Sequence, residues 1–420
     1  MFTVAVLGLT AGVQMSDMGL QAISLSAIQQ TFDVSDAMLG ALQGLAGVLV
    51  GSALAIPLAR FADRYSRKRV LLWLIVASTA MMVLSALAPN FPLFFLGRSA
   101  AGITEFAMVP LVYSMIPDLA PERHRVLANL SFAAVMAAGA SSGFYFAGSL
   151  LSLAASIVPL AIEPWRNAFL LLSLAGLPLL LLAALAADPP RRAGLSQLPE
   201  DSSLRAFLKK RRRSIGLFVG AAGCLIVAVQ AINHLVALAL ERQFDAGPDA
   251  IGRPMGLIVL LSSLGCLPLA WWLDRWLARR LDRAARPLIM GACVVIAVPV
   301  LATLASAGSL ERALAVVALI LFATSTANAL VPTLLQDLAP AALRAPIFAI
   351  WSFVVSVFGA AGPVLAGAFS SRVFDGEMVT AITVTALPAL AISAYCSLRA
   401  FALLRQGLGH SYAAPRERPQ

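Results

Sequence analysis

Long apolar runs are the feature of this chain that most restricts its fold. A bilayer core roughly 30 Å thick is crossed by about 20 apolar residues in an α-helix, and twelve stretches of that kind occur. Lipid offers no partner for backbone N–H and C=O groups, and the alternation of barrel strands is absent, so each stretch is predicted to be a helix. The predicted spans are 4–27, 37–59, 70–88, 92–117, 126–150, 167–187, 214–240, 251–273, 286–307, 311–335, 344–369 and 377–402.

The composition agrees with an all-α membrane protein of twelve transmembrane helices. The chain is 60% hydrophobic and 12% charged, whereas soluble domains are about 25% charged. A soluble fold has no use for that much apolar surface. The four cysteines all fall inside predicted spans, where a small buried hydrophobic residue is the ordinary interpretation.

The basic residues predict the orientation of the chain. If the N-terminus is cytoplasmic, 25 of the 31 Lys and Arg lie in inside segments. The positive-inside rule then places both termini in the cytoplasm of a multi-pass protein of the cell membrane. Because the net charge of +10 is spread over the loops between spans, it does not indicate nucleic acid as a partner.

A polar stretch divides the spans into two sets of six. Residues 188–213 are predicted to form a cytoplasmic linker between an N-terminal six-helix bundle, 1–187, and a C-terminal six-helix bundle, 214–402. Residues 403–420 follow as a cytoplasmic tail. The LRAFLKKRRR segment of the linker fits either a short amphipathic helix or a run of charge that sets the topology.

The two halves repeat one another in sequence. The motif Asp-Leu-Ala-Pro followed by Arg occurs after the fourth span, with Asp118 and Arg125, and after the tenth, with Asp337 and Arg344. In a second repeat, ADRYSRKR after the second span matches LDRWLARRLDR after the eighth. Parallel repeats related by an axis along the membrane normal are a transporter architecture, with the substrate site near the midplane between them.

Two segments of the sequence resemble motifs of the major facilitator superfamily. PLARFADRYSRKRVLL resembles its signature loop between helices two and three, although Ala59 and Ser66 stand where glycine is usual, and GRSAAG resembles its helix-four motif. Asp17, the GR...GITE pattern with Arg98 and Glu105, and DLAPERHRVLA resemble the spinster-like lysolipid and sphingolipid transporters. The resemblance implies two six-helix bundles, alternating access and an amphipathic substrate.

Three charged residues lie deep in the predicted spans: Asp17, Arg98 and Glu105. A charge at the bilayer centre costs about 2.5–3.5 kcal/mol on insertion scales, so such residues usually face a cavity and serve a pathway. Arg98 and Glu105 share a helix face about 10.5 Å apart, and Asp17 lies at a depth that lets it meet Arg98. Burial favours a neutral carboxyl and a nearby Arg favours an ionised one, which predicts proton coupling. A purely structural ion pair is the alternative.

Further polar side chains are candidates to line the central cavity. In the first span they form a stripe with Asp17. In the second half they are softer candidates, because hydrogen bonds between packed helices explain them as well. The candidates are Gln14, Gln21, Gln230, Asn233, His234, Asn328, Trp351 and Ser352.

Charged residues after the second and eighth spans resemble the cytoplasmic gate of the superfamily, in which an acid holds neighbouring helix ends. The basic residues alone would also satisfy the positive-inside rule, but that rule does not require the recurring acid. The predicted gate contains Asp63, Arg64, Arg67, Arg69, Asp274 and Arg275.

These patterns predict a secondary active transporter and not an enzyme. The sequence has no HExxH or Walker motif, so no metal site and no cofactor are expected. The predicted partners are a small-molecule or lipid substrate, protons and the lipid bilayer, with the chain acting as a monomer. A drug, small-metabolite or organic-anion transporter of the same superfamily is the alternative, and a membrane receptor or scaffold is the other class.

Overall fold

The computed structural model describes residues 2–48, 65–119, 125–157, 163–185, 201–339 and 343–405. Every regular element within these ranges is a helix. All twelve predicted spans fall on helix as far as they are described, which confirms the predicted fold class. Asp63 and Arg64 of the predicted gate lie outside the described residues.

As far as they are described, the first six spans are built from nine helices, because three of the spans are interrupted. α1 and α2 form the first span, α6 and α7 the fifth, and α8 and α9 the sixth. The bounds are α1 Phe2–Ile23, α2 Leu25–Phe32, α3 36–48, α4 Arg67–Ala86, α5 Phe91–Leu119, α6 Arg125–Tyr145, α7 Ala147–Ile157, α8 Pro164–Leu174 and α9 Gly176–Leu185.

In the part that the structure describes, the linker and the last six spans contribute eight α-helices and one short 3-10 helix, Asp282–Ala284. The linker segment that left two interpretations open is largely helical, since α10 covers residues 204–210 and α11 begins at Arg212. The bounds are α10 Asp201–Lys210, α11 Arg212–Phe244, α12 Pro248–Leu281, α13 Ala285–Ala302, α14 Leu310–Ala329, α15 Val331–Leu338, α16 Arg344–Arg372 and α17 Met378–Arg405.

The lengths of the helices fit a membrane. Within the described ranges, seven helical segments are long and apolar enough to cross a bilayer, and α6 with α7, bent by 52°, makes an eighth. One of the seven, Pro248–Ala302, contains both the eighth and the ninth predicted span.

Glycines bring α1 and α6 into direct backbone contact. A Cβ atom at Gly139 would fall on the backbone of Gly12, and one at Gly143 would fall on the backbone of Ser16. Small residues of this kind allow helices to approach closely in membranes, where apolar surface alone does not drive association. This packing fixes the face of α1 that carries Asp17.

Two compact units divide the chain. The first contains 1–193, 234–260 and 364–378, and the second contains 194–233, 261–363 and 379–420. The first unit therefore includes the end of α11, the start of α12 and the end of α16. The halves 1–187 and 214–402 rest on the sequence repeat and stay a prediction.

Candidate functional site

Helices α1 and α5 bring Asp17 and Arg98 together. Nη1 of Arg98 donates to Oδ2 of Asp17 over 2.5 Å, and the two side chains are only 5% and 4% exposed. The guanidinium also lies over the ring of Phe169 in α8, 5.6 Å from its centroid. The pair is therefore held between three helices and away from solvent.

The hydrogen bonding of this pair is incomplete. Oδ1 of Asp17 and Nε of Arg98 are buried, and neither has a hydrogen-bond partner among the described residues. A buried donor or acceptor without a partner costs about 1–3 kcal/mol, and more when it is charged. The two charged groups thus pair with each other, and each keeps one polar atom without a described partner.

The other first-half candidates are only partly described. Gln21 is buried, 4% exposed, four residues beyond Asp17 in α1. Gln14 and Glu105 lie in helical backbone, but their side chains are outside the described part of the structure. Their roles stay predictions.

The second-half candidates fall into two groups. His234 is buried, and its Nδ1 lies 3.1 Å from Oε1 of Gln43 in α3. Trp351 packs on Phe218, with ring centroids 4.7 Å apart. Gln230 and Asn233 are half-buried, whereas Asn328 and Ser352 are exposed.

The acids of the two sequence repeats meet at one arginine in the second unit. Arg286 pairs with Asp274 at 3.2 Å and also with Asp337. Arg275, the predicted gate partner, instead extends over Trp271, with its guanidinium 5.5 Å from that ring. Of the basic residues after the second span, Arg67 is half-buried and Arg69 is exposed.

A second Asp–Arg cluster, which sequence reasoning did not identify, joins four spans in the first unit. Arg242 at the end of α11 donates to both carboxylate oxygens of Asp36, over 2.6 and 2.8 Å. Gln29 of α2 donates to Oδ1 of Asp36, and Ser370 of α16 donates to Oδ2. We call Gln29, Asp36, Arg242 and Ser370 the end cluster.

The end cluster keeps Asp36 ionised. Burial raises the pKa of Asp36, but the hydrogen bonds from Arg242, Ser370 and Gln29 outweigh it, so the pKa lies below its ordinary value of 3.8. Beside it, burial raises the pKa of Glu241 against a hydrogen bond to Ser26 and the charge of Arg242. Hydrogen bonds to the ionised form account for the direction at Asp36.

Two further contacts lie at the same helix ends. A Cβ atom at Gly367 in α16 would fall on the backbone oxygen of Asp36. A Cβ atom at Gly148 in α7 would lie 2.6 Å from the backbone nitrogen of Asp249 at the start of α12. All of these ends border segments that the positive-inside rule assigns to the outside.

The end cluster left a weak signal in the sequence. Asp36 and Arg242 flank predicted spans, 37–59 and 214–240, in segments assigned to the outside, where Lys and Arg are few. A basic residue that the positive-inside rule does not explain is a candidate for a specific contact. The partners were not predictable, because they lie 206 positions apart in the chain.

A metal centre finds no support in the described ranges, where no group of three His, Cys, Asp or Glu side chains could hold an ion. The charged groups of the site are instead arranged as Asp–Arg pairs. Such pairs can bind a proton or exchange a carboxylate for an anionic ligand.

Comparisons with known proteins agree with this architecture. A solved structure of a bacterial homolog to the human lysosomal transporter Spinster, in an inward-facing and unoccupied conformation, has a TM-score of 0.82. It covers 99% of this chain and 98% of its own at 20% identity. At that identity the likeness shows the fold.

Curated relatives match shorter stretches. A gentisate transporter of Corynebacterium glutamicum is 28% identical over 183 residues, which is 43% of this chain and 37% of that protein. A chloramphenicol efflux pump of Mycobacterium tuberculosis is 31% identical over 108 residues, 26% of each chain. This chain therefore matches less than two fifths of the length of either relative.

The family itself is shown by a match over most of the chain. The family model described as Major Facilitator Superfamily matches residues 7–363. That range includes the Asp17–Arg98 pair, Asp36 and Arg242 of the end cluster, and the acids bound to Arg286. The chain belongs to the Major Facilitator Superfamily of membrane transporters.

Proposed function

We propose that this transporter works by proton-coupled alternating access, with Asp17 as the group that gains and loses the proton. The observation that carries the proposal is the buried Asp17–Arg98 pair, in which Oδ1 of the acid and Nε of the base have no described partner. A fully satisfied pair would resist protonation, whereas this one has a free oxygen that can accept a proton.

The coupling follows from charge balance. A proton on Asp17 neutralises the carboxylate and removes the counter-charge of Arg98. The guanidinium then needs another anion, and an anionic group of the substrate would provide it. When that group leaves, Arg98 draws Asp17 back into its ionised form and the proton is released. Glu105, about 10.5 Å further along α5, is the proposed second acid.

The end cluster is the proposed lock of this cycle. Arg242 binds both oxygens of Asp36, and Ser370 and Gln29 complete its hydrogen bonding. Because these contacts join spans one, two, seven and eleven, they must break when that end opens. The low pKa of Asp36 means that the lock stays charged at neutral pH.

The orientation is proposed from the distribution of Lys and Arg. Both termini would lie in the cytoplasm of the cell membrane, with the end cluster on the outside. The cytoplasmic gate would include Asp274, whose contact with Arg286 provides the charged link that the sequence repeat predicts. Asp63 would have the corresponding place in the first half.

For the substrate, we propose an amphipathic, lipid-like molecule with an anionic group. Arg98, which would lose its counter-charge when Asp17 is protonated, supports an anionic group on the substrate. The sequence resemblance to spinster-like transporters supports a lipid-like substrate. The partial match to a gentisate transporter favours a small aromatic carboxylate as the second candidate. Both candidates carry a group that would pair with a guanidinium.

Transport in proteoliposomes tests the proposal. Purified protein is reconstituted, a pH gradient is imposed, and movement of fluorescent lysophosphatidylglycerol, gentisate or chloramphenicol is measured. We expect gradient-driven movement of an anionic amphiphile or of gentisate, lost in Asp17→Asn and reduced in Glu105→Gln.

Exchange of substrate across equilibrated membranes serves as the control. It needs substrate binding but no net proton movement, so Asp17→Asn is expected to retain it in part. Unchanged gradient-driven transport in both acid variants would refute proton coupling at these sites. Saturable binding with no movement of any probe would instead favour a receptor or scaffold.

A further inference from the structure

We propose that the last three turns of α12 form a binding site for the headgroup of an anionic phospholipid. The site consists of Trp272 and Trp276, whose rings stack, with Arg275, Arg279 and Arg280. We call these five residues the α12 patch. It lies wholly within the second unit and is separate from the Asp17–Arg98 pair.

The helix presents this patch on one side. Residues 271–272, 275–276 and 279–280 are exposed, whereas the intervening pairs 273–274 and 277–278 are half-buried. Leu273 and Leu277 on the inner side pack against a cluster that contains Ala270, Ile289 and Leu330. The exposed side therefore faces away from the protein, where a membrane helix meets lipid.

The chemistry of the exposed side changes along the helix axis. It begins with Trp271 and Trp272, continues with Arg275 and Trp276, and ends in Arg279 and Arg280. From residue 271 to residue 280 the helix makes nine rises of about 1.5 Å each, or about 13.5 Å in total. A change from aromatic to cationic groups over that length follows the step from acyl chains through glycerol to phosphate in one leaflet.

The rings have a geometry that suits an acyl chain or glycerol backbone. Trp272 and Trp276 are parallel to within 3°, with centroids 6.0 Å apart, and both are 54% exposed. Arg275 lies over Trp271, which is itself 62% exposed. The three tryptophan rings together form an apolar surface beside the guanidinium groups.

The positive charge of the patch is not balanced locally. The one acid in the half-buried stretch, Asp274, points to Arg286 and is used there. Among the described residues, no carboxylate forms an ion pair with Arg275, Arg279 or Arg280. Between residues 275 and 283 the sequence has four arginines and one acid, Asp282. This excess is complementary to a phosphodiester.

An anionic lipid is preferred over a zwitterionic one for that reason. Each Lys or Arg near an anionic surface contributes about 1 kcal/mol, which is about a five-fold change in affinity. A phosphatidylcholine headgroup is expected to bind more weakly, because the positive charge of its choline repels the arginines.

Quenching of tryptophan fluorescence by brominated lipids tests the proposal. The full-length protein is placed in phosphatidylcholine nanodiscs that contain rising fractions of brominated phosphatidylglycerol or, in parallel, brominated phosphatidylcholine. We expect half-maximal quenching at a several-fold lower fraction of the anionic lipid. Replacing Trp271, Trp272 and Trp276 together by Phe should remove most of this selective component.

Three variants define the source of the selectivity. Arg279→Gln/Arg280→Gln should shift the phosphatidylglycerol curve at least about five-fold towards the phosphatidylcholine curve. Arg279→Lys/Arg280→Lys, which keeps the charge, should retain most of the preference. Arg399→Gln/Arg405→Gln removes two exposed arginines from α17 and should leave it unchanged.

Two results would overturn the proposal. Equal quenching by both lipids would mean that the patch meets only non-selective annular lipid. A preference that persists in Arg279→Gln/Arg280→Gln, with an unaltered thermal unfolding curve, would place the anionic lipid elsewhere. Neither result bears on transport, so the proposed function is tested independently.

Discussion

The Asp17–Arg98 pair and the end cluster each contain an aspartate and an arginine, but they differ in how completely these side chains are hydrogen-bonded. At the end cluster, both oxygens of Asp36 are hydrogen-bonded, and its partner Arg242 is 29% exposed. At the pair, both side chains are buried, and one polar atom on each side has no described partner. We propose that the completed hydrogen bonds make the end cluster a lock, and that Asp17 of the buried pair is the group that gains and loses a proton.

The largest effect is expected from Arg98→Ala. Removing one partner of a buried ion pair costs about 3–5 kcal/mol, because it leaves a buried charge without compensation. The double variant Asp17→Asn/Arg98→Ala should recover much of that loss. Denaturant unfolding of the purified protein measures both. Equal losses in the single and double variants would mean that the pair does not behave as two coupled charges.

A smaller effect is expected from Arg242→Gln. It removes charge-assisted hydrogen bonds worth about 1.5–3 kcal/mol, partly offset by solvent at this more exposed site. The population with separated helix ends should therefore rise about ten-fold. Spin labels at Gln30 and Gln243, in a background without native cysteines, would report this as a longer distance. An unchanged distance distribution would contradict the role of a lock.

Arg286→Gln extends the comparison to a third arrangement, one arginine between two acids. The variant leaves Asp274 and Asp337 facing each other, but the side chain of Asp274 is 24% exposed and that of Asp337 is 19% exposed. We expect a loss of about 1 kcal/mol in unfolding free energy. Asp337→Asn in the same background should recover part of it. A loss as large as that of Arg98→Ala would mean that this site is effectively buried too.

The end cluster should show almost no dependence on pH between 5 and 8. The pKa of Asp36 is below 3.8, and a lowered pKa gives stability that is complete above the ordinary value and is lost only as pH falls through the lowered one. The spin-label distance in Asp36→Asn should therefore differ from wild type by the same amount at both pH values. A difference that vanishes at pH 5 would show that Asp36 titrates there.

The sequence predicted the fold better than it predicted the contacts. Twelve apolar runs are a direct consequence of bilayer thickness, so the helices followed from hydropathy alone. The meeting of Asp17 and Arg98 followed from depth, because few charges occur within the spans. The end cluster could not be found in this way, since Asp36 and Arg242 lie at span edges, where charges are common.

The repeated acids show a similar limit. The motifs marked Asp274 and Asp337 as equivalent in role to first-half acids, but they did not identify Arg286 as the residue between them. Its position at the start of α13 follows from a helix boundary that the sequence places only to within several residues. The predicted gate includes both Asp274 and Arg275, yet the two face different directions, because they are adjacent on one helix.

Proton uptake by the substrate-free protein tests the central claim most directly. A jump from pH 8 to pH 5 in weakly buffered detergent solution, followed with a pH-sensitive dye, counts the protons bound per molecule. The account predicts that Asp17→Asn binds about one proton fewer than wild type, and that Asp36→Asn binds the same number as wild type. Equal uptake by wild type and Asp17→Asn, or a loss confined to Asp36→Asn, would contradict it.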